Sequence, residues 1–118
     1  GLNMAITGLK ALEIWRDCFV SGNCDSVAEI ITDDFVFVRD DDEGYTDAST
    51  SRDETLSWIS NTKVRISDFD VLYENDEVVM GFHMVSVPES PLSKVMFFAR
   101  KEHGKFSYWR VHRLLISE

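Results

Sequence analysis

The chain is short of several things, and each shortage excludes a class of protein. Two cysteines, Cys18 and Cys24, are too few for a disulfide framework and lack the spacing of a zinc or thiol-redox pair, so both are expected as reduced thiols. Two prolines and six glycines in 118 residues leave out collagenous and low-complexity chains. The longest stretch free of Asp, Glu, Lys and Arg runs only from Val78 to Pro88, far from the roughly 18 apolar residues of a membrane span. Basic residues are scarce. Twelve Lys+Arg against 21 Asp+Glu give a net charge of −9, a field that opposes phosphate and therefore nucleic acid or an acidic membrane as partner. No Gly-rich phosphate loop, Gly-x-Ser-x-Gly elbow or His/Cys/carboxylate cluster with metal spacing is present, so neither a metal nor a cofactor is expected. A basic-then-apolar leader is also missing, which points to the cytoplasm. Gly1 ahead of Leu2, Asn3 and Met4 reads as the remnant of an expression tag, leaving residues 5–118 as a single domain.

What the chain has is core material, 44% hydrophobic and 12% aromatic residues. Ile6, Leu9, Leu12, Trp15 and Phe19 recur at helical spacing, and Ser21-Gly22-Asn23 stops that helix. Asn23 then offers a cap and Asp25 a first-turn charge to a short second helix through Val27, Ile30 and Ile31. Phe35-Val36-Phe37-Val38 reads as a strand, Asp40 to Gly44 as an acidic loop, and Ser51 with Glu54 as the capping box of a third helix ending near Asn61.

Beyond Val64 the period becomes two. Phe69, Val71, Tyr73, Val78, Met80, Phe82 and Met84 are expected on one sheet face, joined by a tight turn at Asn75-Asp76 that sets Glu74 opposite Glu77. A second hairpin turns at His103-Gly104 and joins Lys94–Glu102 to Lys105–Ile116. The whole is an α+β pattern, helices on one face of a curved sheet, with Trp15, Phe19, Ile30, Phe37, Phe82, Phe98 and Trp109 expected in the core.

This order, with Ser21-Gly22-Asn23-Cys24-Asp25-Ser26-Val27 and Ile30-Ile31-Thr32-Asp33-Asp34-Phe35-Val36, resembles the nuclear transport factor 2-like superfamily and its SnoaL-like branch. Glu102-His103-Gly104-Lys105 followed by Trp109-Arg110 is similar to the last hairpin of that group. The resemblance implies a cone: three N-terminal helices packed on a curved, mainly antiparallel sheet that encloses a pocket. It also implies a homodimer through the reverse face of the last hairpin, where Val95, Phe97, Ala99, Tyr108 and Leu114 are expected. Ketosteroid isomerase, a member, uses an acid at the end of the first strand and a second on a later strand. The matching positions here hold Arg39 and Met96, which lack the needed groups, with Asp40 one step late and on the opposite face unless a bulge intervenes.

A two-residue turn at 103 and 104 would pair Arg100 with Ser107, Phe98 with Trp109 and Met96 with Val111 on the pocket face, which Arg113 continues. With Trp15, Phe37, Arg39 and Trp58, this makes a predicted pocket of Trp15, Phe37, Arg39, Trp58, Met96, Phe98, Arg100, Trp109 and Arg113. Its three arginines either bind a carboxylate or pair with some of the many acids at the rim. His83 opposite Asp68 is either the start of a general-base pair or an ordinary charged cross-strand pair. The acidic loop reads as a solvated charge run in preference to a calcium site, because Arg39 occupies a position that calcium would need as an acid. Two functions stay open: a small-molecule pocket protein that binds or transforms a partly apolar, anionic metabolite, and a non-catalytic homodimeric interaction module with a vestigial pocket.

Overall fold

The computed structural model describes residues 6–114. The proposed tag remnant at 1–4 and Ile116, the expected end of the last strand, lie outside the described residues. Three helices and six strands follow in the order α1 (Gly8–Ser21), α2 (Asp25–Ile30), β1 (Ile31–Asp40), β2 (Thr46–Ser51), α3 (Arg52–Asn61), β3 (Arg65–Glu74), β4 (Val78–Ser86), β5 (Ser93–Glu102) and β6 (Lys105–Leu114). The helices are not one N-terminal block, because β1 and β2 separate α3 from the other two.

Local chemistry sets the helix ends. Thr7 Oγ1 accepts from Lys10 N at 3.1 Å to start α1, and Gly22, at φ +76°, ends it by donating to the Cys18 carbonyl. Asn23 Oδ1 accepts from Asp25 N at 3.0 Å, although the cap position itself falls on Cys24. The Ser51–Glu54 capping box opens α3 with both reciprocal hydrogen bonds made. The backbone N–H that Glu54 accepts from Ser51 also holds its carboxyl below the usual range. β2 was not anticipated: Thr46–Ser51 contains a single apolar side chain, Ala48, and gains its strand geometry from pairing with β1 at the sheet edge.

All six strands form one mixed sheet in the order β2-β1-β6-β5-β4-β3, antiparallel throughout except for the parallel β1–β6 pair. The helices cover one face, where Leu12, Trp15, Phe19, Phe35, Ile59, Phe97, Phe106 and Trp109 form the core. Trp15 is its hub, with ring centroids 5.6 Å from Trp109 and 6.1 Å from Phe37.

The expected registers of both hairpins are corrected by bulges. In the second hairpin the turn at His103-Gly104 is as expected, with both residues at positive φ, and Glu102 faces Lys105. The ladder then slips between Arg100 and Lys101, so that Arg100 faces Tyr108, Phe98 faces Arg110 and Met96 faces His112. One extra residue exchanges the faces of everything beyond it. In the first hairpin Asn75 Oδ1 accepts from both Glu77 N and Val78 N, widening the turn so that Glu74 faces Val79. Slips near Leu72 and at Asp68, which sits at φ +56°, then bring Val71 against Gly81 and Ile66 against Val85. As a result Val79, Gly81, His83 and Val85 face the helices, while Met80, Phe82 and Met84 turn away with Met96 and Phe98. Phe82 and Phe98, expected in the core, are only half-buried on that outer face; Ile30 and Phe37 are likewise half-buried but pack against the core cluster.

Gly81 has no room for a side chain: a Cβ there would strike the Asp70 carbonyl oxygen and lie 3.0 Å from Val71 Cα. Lys101 of β5 is buried and donates to Glu74 Oε2 of β3 at 2.7 Å, and the same oxygen accepts from Gly8 N at 2.7 Å. One carboxylate thereby ties the start of α1 to two strands.

Candidate functional site

Between the helices and the sheet lies a cavity of about 670 Å³. α1 contributes Leu12, Trp15 and Phe19, α3 contributes Trp58, and β6 contributes Trp109, Val111 and Arg113. Phe37 and Arg39 come from β1, His83 and Val85 from β4, and Val95 from β5. The wall is thus mostly aromatic and aliphatic, the composition of a small-molecule site. Six of the nine residues expected from the sequence line it: Trp15, Phe37, Arg39, Trp58, Trp109 and Arg113. Met96, Phe98 and Arg100 do not, because the β5–β6 bulge turns them to the outer face, where the Arg100 guanidinium lies over the rings of Phe98 and Tyr108. The pairing of Phe98 with Trp109 is replaced by Ala99 with Trp109. By the same slip Val95, Phe97 and Ala99, expected on the reverse face, are buried in the core.

Charges gather at one end of the cavity. Arg39 reaches Asp47 at 3.5 Å and Arg113 reaches Asp42 at 3.9 Å, all four side chains more than half exposed. Asp41 folds back on its own loop, its Oδ1 accepting from Glu43 N and Tyr45 N. Asp40 also borders this end, but its carboxylate is turned to Arg110 on the outer face, with both oxygens within 3.0 Å of Nε and Oδ1 2.8 Å from NH2. The register shift between Arg39 and Asp40 therefore leaves the carboxylate directed at Arg110, although Asp40 borders the cavity. With Arg39 at the first strand position and Met96 on the outer face, the two-acid arrangement of ketosteroid isomerase is absent.

His83 is the side chain that sequence reasoning placed wrongly. It was expected on a polar face opposite Asp68; instead Asp68 is exposed at a bulge, and His83 is 6% exposed, faces Val95 and lines the cavity. Its ring stands between Phe97, at 5.8 Å, and Phe69, at 6.4 Å and nearly perpendicular. Burial pushes its pKa below the usual imidazole range, so it is neutral at pH 7. Nδ1 lies 3.2 Å from the Met84 carbonyl, and a carbonyl only accepts, so Nδ1 carries the proton and Nε2 keeps a lone pair. The sequence held one signal of this: a glycine inside a strand, Gly81, marks close backbone approach, and the face it shares with His83 is the enclosed one.

Other chemistry is thin. Burial raises the Cys18 thiol pKa, which keeps it protonated and a poor nucleophile. Among the described residues no group of three or more His, Cys, Asp or Glu side chains could hold a metal ion. Trp15 Nε1 is buried without a hydrogen-bond partner among them.

This architecture is the nuclear transport factor 2-like fold. The chain superposes on an NTF2-like protein of unknown function from Cytophaga hutchinsonii with a TM-score of 0.72 at 10% identity, covering 92% of this chain and 90% of that one. It is also similar to IdmH, a putative polyketide cyclase from Streptomyces antibioticus (TM-score 0.64, 12% identity, 89% and 90% covered). A protein with a ketosteroid isomerase-like fold from Catenulispora acidiphila, in complex with trimethylamine, gives a TM-score of 0.64 at 13% identity, with 92% and 88% covered. No family model matches the sequence, and no curated protein does.

Proposed function

We propose that the protein is a SnoaL-like small-molecule pocket protein that binds or transforms a small, partly apolar metabolite. The observation that carries this reading is the cavity of about 670 Å³, large enough for a metabolite and walled by Trp15, Phe37, Trp58 and Trp109 rather than filled by them. A vestigial pocket would have side chains filling that space, whereas here the contacting rings form a wall of it. An anionic group on the metabolite has weaker support than the apolar body, because Arg39 and Arg113 each face an aspartate at the rim. Binding stabilises a folded protein by mass action, so thermal melting against a panel of apolar alcohols, ketones and acids is the direct test. At least one class is expected to raise the Tm, and Val111→Phe, which intrudes on the cavity from β6, is expected to abolish the rise. A panel without any shift, or shifts untouched by Val111→Phe, would overturn the reading.

The outer face of the sheet supports a homodimer. Met80, Phe82, Met96, Phe98 and Tyr108 form an apolar surface there that no helix among the described residues covers, around a shallow depression bordered by Arg110 and His112. A second copy related by a two-fold axis would bury it.

A further inference from the structure

On the pocket reading above, we propose that the ligand is a neutral, largely apolar molecule bearing a hydroxyl, and that this hydroxyl donates its hydrogen bond to Nε2 of His83. The Met84 carbonyl occupies Nδ1 and fixes the tautomer. Nε2 has no donor among the described residues, while Nδ1 has the Met84 carbonyl. His83 lines the cavity, and the proposed hydrogen bond turns the Nε2 lone pair toward the space. Phe69 and Phe97 hold the ring in place, which gives the acceptor a fixed direction. A ligand that displaces water from such an acceptor without supplying a donor leaves it unsatisfied in an apolar wall.

The charges around the cavity select against the ionic alternatives. Arg113 stands in the same cross-strand row as His83, two strands away beyond Val95, but its guanidinium is more than half exposed and faces Asp42. Arg39 faces Asp47 in the same way, and Asp41 adds a further negative charge at that end. A carboxylate oxygen set against the Nε2 lone pair would meet repulsion there, and the two arginines that line the cavity each already face an aspartate. A quaternary cation needs open aromatic faces. Here Trp15 packs on Phe37 and Trp109, and Phe37 on Trp58, as tilted pairs with centroids 5.6 to 6.1 Å apart, so each ring has part of its face against a neighbour. Burial, which keeps the imidazole neutral, agrees with an acceptor role.

Calorimetric titration with 4-tert-butylphenol, 4-tert-butylanisole and 4-tert-butylbenzoate separates the cases. The phenol is expected to bind about tenfold more tightly than the anisole, the worth of one neutral hydrogen bond, and more tightly than the benzoate. His83→Phe should bind phenol and anisole alike, whereas His83→Gln, whose amide oxygen accepts, should retain part of the preference. If either variant fails to fold, the ¹⁵N resonance of His83 Nε2 in the unaltered protein serves instead: it should move on saturation with the phenol and stay with the anisole. Equal binding of phenol and anisole, tightest binding of the benzoate, or a motionless Nε2 resonance would overturn the proposal and leave the pocket standing. Binding by none of the three would overturn the pocket reading and this proposal together.

Discussion

Because burial holds the His83 imidazole below its ordinary pKa, the unfolded chain takes up that proton first as pH falls. Stability is therefore lost as pH drops below about 6.5, and the loss levels off once the folded protein also protonates. Carboxylates add their own slopes at lower pH, so the measurement is a difference. Urea unfolding of the unaltered protein and of His83→Phe at pH 7.5 and 5.5 should show a smaller acid loss in the variant, and parallel losses would mean that the ring is not buried neutral. Lys101 offers a second test at this scale. Its ammonium is enclosed, with Glu74 and the Asn75 carbonyl as its acceptors among the described residues, so Glu74→Gln removes the compensating charge and weakens the tie to α1. Glu74 keeps about a quarter of its side-chain surface. The expected cost is therefore roughly 2–3 kcal/mol, below that of a fully enclosed pair, read from the denaturation midpoint.

At the level of elements, what the sequence made legible was whatever depends on near neighbours. The capping box of α3, the glycine stop of α1 and the His103-Gly104 turn are local chemistry and stand where the residue types put them. The two faces of the hairpins were not legible, because Val79, His83 and Val85 alternate as acceptably as Met80, Phe82 and Met84. A bulge chooses between the sets through contacts made across the fold. That choice moved Met96, Phe98 and Arg100 out of the site and His83 into it. Gly81 is where the curvature of β4 is most exacting. Gly81→Ala is expected to cost about 1–3 kcal/mol by forcing the β3 backbone away from Asp70, a loss that chemical denaturation would register. An alanine tolerated without loss would mean that β3 has more freedom than its close approach implies.

For the whole molecule, the net charge of −9 and the uncovered apolar face act in opposite directions on self-association. The apolar face is expected to prevail at moderate salt, so light scattering should give twice 13.6 kDa, and Phe98→Glu should restore 13.6 kDa with the cavity intact. A single mass for both proteins would remove the dimer. The place of β6 has a different consequence. It lies between β1 and β5, so the edge of β1 away from β2 has no neighbour until β3, β4, β5 and β6 itself have been made. During synthesis β1 can pair with β2 at once, but its other edge stays open, and Phe37 lacks the cross-strand neighbour Trp109, until the last strand is made. Such late, distant pairing is slow. Closure of the sheet between β1 and β6 is consequently expected to limit the rate of refolding.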